Sequence, residues 1–331
     1  MSFKNVLGHA RPIEFLQRAM KTDMVAHSYL FLGSEGIGKK WVALQFAKAL
    51  NCLKGGADAW DACDACPSCN KIDHGLHPDI LILEPENQTI KVDQVRQMQR
   101  DLIYQPYEAQ RRVCILTAAD RMAPNMSNIL LKTLEEPPIH TILILLANNV
   151  KLILPTILSR CQVIHFNPLP TALVTQWLLE RGGVSEAEAH LAASLSEGSP
   201  GRALILQEEI QLIPRSEFLK GWVGSSTLSF EEMERWADSM PSDRENLMMV
   251  LETAKTLLRD LVIAKIMKDS SKLVHADLQK DIATFASKLK LSILLNRIEA
   301  LHQTLLEISP IGGNANTRLA LEAMMLRWAE G

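Results

Sequence analysis

The segment SYLFLGSEGIGKK, Ser28–Lys40, constrains the fold of this chain more than any other. Gly33, Gly38 and Lys39 fit the pattern G-x-x-x-x-G-K, with Gly36 as a further glycine inside the turn. A turn of this kind cradles phosphate with backbone N–H groups and one ammonium, and it sits between a buried strand and the start of a helix. The pattern predicts a strand over SYLFL and a helix over Gly38–Leu50. One position breaks it: where Ser or Thr would offer a hydroxyl to Mg²⁺, the chain has Lys40. An ammonium beside a divalent ion is repelled by roughly a few kcal/mol at an effective dielectric near 20 unless it swings away. Gly33, Gly36, Gly38 and Lys39 can still cradle a nucleotide phosphate, but a metal ligand is gone.

Four more short apolar runs, DILILE, RVCILTA, TILILLA and CQVIHF, read as buried strands. Amphipathic segments separate them. Val92–Ile103 carries Val92, Val95, Met98 and Leu102 at helical spacing, and Pro124–Leu134 opens on a proline suited to a first turn. Such alternation implies a parallel sheet with helical crossovers. After FNPLP, Phe166–Pro170, the strand signals stop. Short helices are expected over Thr171–Arg181, Ser185–Leu195 and Pro200–Gln207, with a further break at Ile213–Ser216. Longer helices follow. Leu291, Leu294, Leu295, Ile298, Leu301, Leu305 and Ile308 form one apolar stripe; Leu321, Met324, Met325 and Trp328 form another, flanked by Leu319, Ala323 and Leu326. Such stripes make the core of a helical bundle, and a face too broad for one bundle can pack against sister subunits. The expected class is α/β followed by all-α.

With 331 residues, 47% hydrophobic and 22% charged, the chain is an ordinary globular sequence of more than one domain. Its N-terminus lacks the apolar core of a signal peptide, and its most apolar run, ILILLA, is too short to span a bilayer, so a cytoplasmic protein with no membrane partner is expected. A formal net charge of −3 gives no overall attraction to nucleic acid and points to protein partners.

Four of the six cysteines fall within eighteen residues, as Cys52, Cys63, Cys66 and Cys69 in C-x10-C-x2-C-x2-C spacing. Gly55, Gly56 and Pro67 exclude a continuous helix there. Two-residue gaps let neighbouring thiolates converge, and four thiolates complete a closed tetrahedral Zn²⁺ site. The alternatives are unliganded surface thiols, or replacement of Cys52 by His74 or His77. Cys114 and Cys161 lie in apolar strands and read as small core hydrophobes.

Six segments in order carry a resemblance that covers essentially the whole chain. They are AHSYLFLGSEGIGK, the four-cysteine insert, NILLKTLEEPP, LPTILSRCQ, GSPGRAL and NANTRLALEAMMLRW. This set resembles the δ′ family of bacterial DNA polymerase III clamp-loader subunits. The resemblance implies an AAA+ parallel-sheet phosphate-loop module with a zinc insert over 1–166 (the insert about 52–69), a small three-helix lid over 167–208 and a C-terminal helical collar domain over 209–331. It also implies γ/τ and δ partners in a pentameric ring that loads a sliding clamp onto primed DNA during replication.

ATP-hydrolysing members of the group end the third strand with an Asp for the metal and a Glu for the attacking water. Counting back from LLKTLEEPP puts Thr117 and Ala118 at those positions, with Asp120 two residues further on. Loss of the hydroxyl and both acids removes most of what phosphoryl transfer requires. The expectation is a subunit with no ATPase of its own inside the polymerase holoenzyme. The resemblance further implies that Arg160, in SRC, faces the nucleotide of an adjacent subunit as an arginine finger in trans, for which a planar guanidinium is suited. Glu135 and Glu136 read as helix-terminal rather than catalytic. Arg202 is either a nucleotide sensor or a surface residue, and Asn148 and Asn149 occupy the polar sensor region. Competing readings are a γ/τ-like ATPase and an independent zinc-ribbon DNA binder; Thr117, Ala118 and Lys40 oppose the first, and the charge balance opposes the second.

Overall fold

The computed structural model describes residues 2–54, 60–85, 90–122, 124–210, 215–223, 230–267, 273–309 and 316–330. Gly55, Gly56 and the first two residues of the break at Ile213–Ser216 lie outside them. The chain divides into two compact units, one of residues 1–177 with 196–204 and the other of 178–195 with 205–331.

The first unit is built on a parallel sheet. In chain order it contains α1 (Ala10–Lys21), β1 (Ser28–Leu32), α2 (Lys39–Leu50), α3 (Pro67–Asp73), β2 (Ile80–Leu83), α4 (Val92–Ile103), β3 (Arg112–Leu116), α5 (Pro124–Glu135), β4 (Thr141–Ala147), α6 (Pro155–Leu158) and β5 (Gln162–His165). The five strands run in the order β2-β3-β4-β1-β5, and every pairing is parallel. All five apolar runs of the sequence are therefore strands, and Val92–Ile103 is a helix over its expected span. Side chains alternate between faces with the period of two that a strand requires. Tyr29, Phe31, Val113, Ile115, Ile142 and Ile144 pack with Leu16 of α1 and Val42 and Phe46 of α2. Leu30, Cys114, Leu116, Leu143 and Leu145 pack on the other face with Val95 and Met98 of α4 and Leu130 and Leu134 of α5. Burying each of these larger side chains stabilises the unit by roughly 1.5–3 kcal/mol before entropy is counted.

Three further helices follow: α7 (Thr171–Arg181), α8 (Glu186–Leu195) and α9 (Pro200–Ile210). The second unit then adds α10 (Arg215–Phe218), α11 (Phe230–Ser239), α12 (Arg244–Met267), α13 (Gln279–Lys288), α14 (Leu291–Ile308) and α15 (Thr317–Glu330). Leu251, Leu258 and Leu261 of α12, Leu294, Leu301 and Leu305 of α14, and Leu321, Met324 and Trp328 of α15 share one core.

Two apolar stripes are narrower than the sequence indicates. Leu295, Leu319 and Leu326 are exposed. Leu295 lies about 100° round the helix from Leu294, outside the arc that faces α12. Arg297 is buried in this bundle instead. Its guanidinium stacks 5.1 Å from the Trp328 ring, and the Trp328 indole N–H donates to the Arg297 carbonyl at 3.2 Å. Aromatic stacking of this kind makes a buried guanidinium tolerable.

Candidate functional site

The phosphate loop joins β1 to α2. Gly36 and Gly38 both adopt positive φ, +72° and +109°, and Gly38 caps α2. The Lys39 ammonium is buried and turns back on its own loop, donating to the carbonyls of Gly33 (2.5 Å) and Ser34 (2.8 Å) and to Asn148 Oδ1 (2.8 Å). Burial pulls its pKa down to about 8, against the nearby charges of Asp120 and Glu35. His9 holds the loop from another side, its Nε2–H donating to the Ile37 carbonyl at 2.8 Å.

The start of α9 also closes on this loop. The Gly201 N–H donates to the Gly36 carbonyl at 3.0 Å, and the Ser199 hydroxyl donates to the Glu35 carbonyl at 2.8 Å. A Cβ on Gly201 would lie 2.9 Å from Gly36 Cα, so this approach requires glycine. The Lys39 ammonium, which would otherwise face a phosphate, is thus engaged by the protein itself.

A cleft of about 620 Å³ opens beside the loop, lined by Gly36, Lys39, Lys40, Trp41, Thr117 and Ala118 among others. On the wall of the cleft, Lys40 pairs with Glu84 just beyond β2, at 2.5 Å. The Thr117 hydroxyl turns toward the sheet and donates to the Leu83 carbonyl at 3.1 Å. Ala118 offers no functional group. Asp120, on the 3-10 turn Ala119–Arg121, accepts from the N–H groups of Asn148 and Asn149 at 2.9 and 3.0 Å. It thus fixes the end of β4.

At the far end of α2 the four cysteines of the insert converge, with their sulfurs all within 4.8 Å of one another. Cys52, Cys66 and Cys69 are buried. Pro67 opens α3 with Cys66 as its cap, so the proline starts a short helix that carries Cys69. Backbone N–H groups point at sulfur: Cys63 N–H at Cys52, Cys66 N–H at Cys63 and Cys69 N–H at Cys66, at 3.3–3.4 Å. Burial opposes the Cys66 thiolate, but N–H donors outweigh it and bring the thiol down to about 6. A tetrahedral zinc–thiolate centre has S–S edges of roughly 3.8 Å, so this set needs to contract by roughly 1 Å or less. The four cysteines can hold a metal ion and are compatible with zinc. His74 and His77 point elsewhere. His74 Nδ1 lies 2.7 Å from the Asn70 carbonyl, while His77 Nδ1 accepts from the Asp79 N–H and its Nε2 lies 3.7 Å from Glu108.

Two anchors were not visible in the sequence. The buried Asp79 accepts from the N–H groups of Tyr107, Glu108 and Ala109 and from the Arg112 guanidinium. Burial alone would raise its pKa, but these donors hold it at about 2. Lys48 of α2, fully buried, reaches Asp64 and Asp73 at 2.6 and 2.7 Å and so ties the cysteine insert to the sheet module.

Arg160 sits between α6 and β5. Its Nη2 donates to Glu135 Oε1 at 2.7 Å, and its Nη1 to the Thr156 carbonyl and Ser159 hydroxyl at 3.1 and 3.2 Å. Arg202 lies on the surface 3.7 Å from Glu197; its neighbour Gly201, not Arg202, meets the phosphate loop.

Residues 8–170 match the family described as DNA polymerase III, delta subunit, and residues 242–330 match DNA polymerase III, delta subunit, C terminal. Over 334 residues the chain is 28% identical to DNA polymerase III subunit delta' of Bacillus subtilis (strain 168), covering 97% of this chain and 96% of that one. It is 32% identical over 315 residues to DNA polymerase III subunit delta' of Pseudomonas aeruginosa, covering 92% of each chain. The chain belongs to the DNA polymerase III δ′ subunit family. It is a clamp-loader subunit of DNA polymerase III, and its work belongs to DNA replication. Part of the chain also matches another subunit type: it is 32% identical over 177 residues to DNA polymerase III subunit tau/gamma of Haemophilus influenzae, 54% of this chain and 25% of that one.

Within this δ′-family chain, Gly36, Gly38, Lys39, Asn148 and the Thr117–Ala118 pair gather round one cleft, Gly33 is reached by the Lys39 ammonium, and Cys52, Cys63, Cys66 and Cys69 gather round one point. Glu135, which reads as a helix end in sequence, is that and also the carboxylate that holds Arg160. No helix among the described residues is long and apolar enough to cross a membrane.

Proposed function

We propose that this clamp-loader subunit does not hydrolyse ATP and instead supplies Arg160 in trans to the nucleotide site of a neighbouring subunit. One observation carries the first half: where β3 ends beside the cleft, the Thr117 hydroxyl is bonded to the Leu83 carbonyl and Ala118 has no acid to offer. Phosphoryl transfer depends on a metal held in place and a nucleophile oriented, and neither group does either. Lys40, paired with Glu84, does not replace the hydroxyl ligand. Arg160 keeps a planar fork on an accessible corner of the module, where a guanidinium can stabilise charge developing on a neighbour's phosphate.

In this reading residues 1–166 form a nucleotide-binding-like module with a structural zinc on Cys52, Cys63, Cys66 and Cys69, 167–208 a lid, and 209–331 an oligomerising collar. The partners are γ/τ and δ subunits in a pentameric cytoplasmic ring acting on a sliding clamp and primed DNA. A γ/τ-like ATPase is the second reading, favoured by the τ/γ similarity and by the retained Lys39.

The test is a ring reconstituted with Arg160→Ala. Assembly should persist while DNA-stimulated ATP turnover and clamp loading fall by a fraction, because other interfaces keep their own arginines. Arg160→Lys should restore only part, since it keeps charge without the fork. Loading at the unmutated rate under limiting ATP would leave Arg160 a purely structural residue.

A further inference from the structure

We propose that Glu135 is a positioning residue for Arg160, an inference that rests on the trans-arginine reading above. The two residues are 25 apart in sequence and end different elements: Glu135 is the last residue of α5, and Arg160 lies just past α6. Both halves of Arg160 are fixed. Its carbonyl accepts from the buried Ser28 hydroxyl at 2.7 Å, which sets the main chain against the first residue of β1. Its guanidinium is held by Glu135 Oε1, the Thr156 carbonyl and the Ser159 hydroxyl.

A guanidinium has five N–H donors. These three bonds engage three of them, leaving Nε–H and the second Nη2–H free of any described partner in the chain. They remain for an acceptor that arrives from outside. An arginine on an open corner ordinarily samples many rotamers, and an approaching phosphate would have to select one. Here the plane of the fork is set before the neighbour arrives, and preorganised donors are what a developing charge rewards.

Stability does not explain the pair, because the two side chains are 36% and 50% exposed and ion pairs of that kind contribute little to folding. Glu135 acts here through its oxygen rather than chiefly through its charge. A glutamine, which keeps a carbonyl oxygen of the same reach, therefore substitutes for it in large part.

The experiment compares rings reconstituted with Glu135→Ala, Glu135→Gln, Arg160→Ala and the Glu135→Ala/Arg160→Ala double variant, reading kcat and KM for ATP in the presence of clamp and primed DNA. Glu135→Ala should lower kcat by most of the fractional loss that Arg160→Ala causes, and by no more than that, with the melting temperature of the isolated chain unchanged. Glu135→Gln should recover most of the rate. The double variant should turn over no more slowly than Arg160→Ala alone. An unmutated rate for Glu135→Ala beside a slow Arg160→Ala overturns the positioning role and leaves the trans arginine standing. A double variant slower than Arg160→Ala by the full Glu135→Ala factor also overturns it. If Arg160→Ala itself is without effect, the trans reading fails and this inference fails with it.

Discussion

The two ends of α2 carry two sites that have diverged in kind. At its start the glycine loop keeps the backbone shape of a phosphate cradle, but Lys39 is bonded to Gly33, Ser34 and Asn148, and Ser199 and Gly201 bond the loop from the side. Beyond its end, four sulfurs converge with backbone N–H groups aimed at three of them. The first site has its ammonium engaged by protein, and Thr117 and Ala118 at the end of β3 offer it no carboxylate. The second has its full set of ligand atoms and donors arranged to favour thiolates. Retained backbone geometry is thus weak evidence for retained chemistry; the functional atoms decide.

The largest effect separating these sites should come from the cysteines. Purified chain should contain one zinc, and Cys66→Ser should lose it together with local order around 60–75, because metal binding and folding of such loops are coupled. Measured metal content that is unchanged in this variant would reject the ligand set. The sheet core should survive, since the cysteines form a cluster separate from it.

Next in size is Asp79, which anchors the loop 107–109 beside the insert. Asp79→Ala leaves Arg112 buried without its carboxylate and should cost about 3–5 kcal/mol in denaturant unfolding. In the unmutated chain the folded-state pKa of about 2 lies below the ordinary carboxylate value of 3.8. The contribution of the N–H donors of Glu108, Tyr107 and Ala109 together with Arg112, roughly 2 kcal/mol, is therefore fully present above about pH 4 and is lost as pH falls toward 2. Acid titration of the Asp79→Ala variant should lack that component.

A smaller effect tests whether the loop is held by protein rather than by ligand. Gly201→Ala pushes a methyl against Gly36 and should lower stability by roughly 1–3 kcal/mol in the absence of any nucleotide. No change in melting temperature would mean that the contact with the loop is incidental. Smallest of all, Lys40→Thr should release Glu84 without raising ATP turnover, because Thr117 and Ala118 still supply no carboxylate.

Much of the first unit was legible because its signals are local. Buried runs such as TILILLA have strand length, and Val92–Ile103 has helical spacing, so each can be read without knowing its neighbours. The convergence of the four cysteines was equally legible from their spacing, and the place of Thr117 and Ala118 at the end of β3 from the segment LLKTLEEPP. What escaped depends on distant residues meeting. The Gly36–Gly201 contact joins segments 165 residues apart in space alone, Glu135 meets Arg160 across two elements, and Asp79 meets Arg112 at the edge of the sheet. Periodicity also cannot tell Leu295 from Leu294 at the margin of a stripe, nor foresee that stacking on Trp328 admits Arg297 to the core.

The most direct test of the central claim is Mg²⁺-dependent ATP turnover by the isolated chain, measured beside the Lys39→Ala variant purified in the same way. Both should be indistinguishable from background. Turnover by the unmutated chain that disappears in Lys39→Ala would contradict it and make this δ′-family subunit an ATPase.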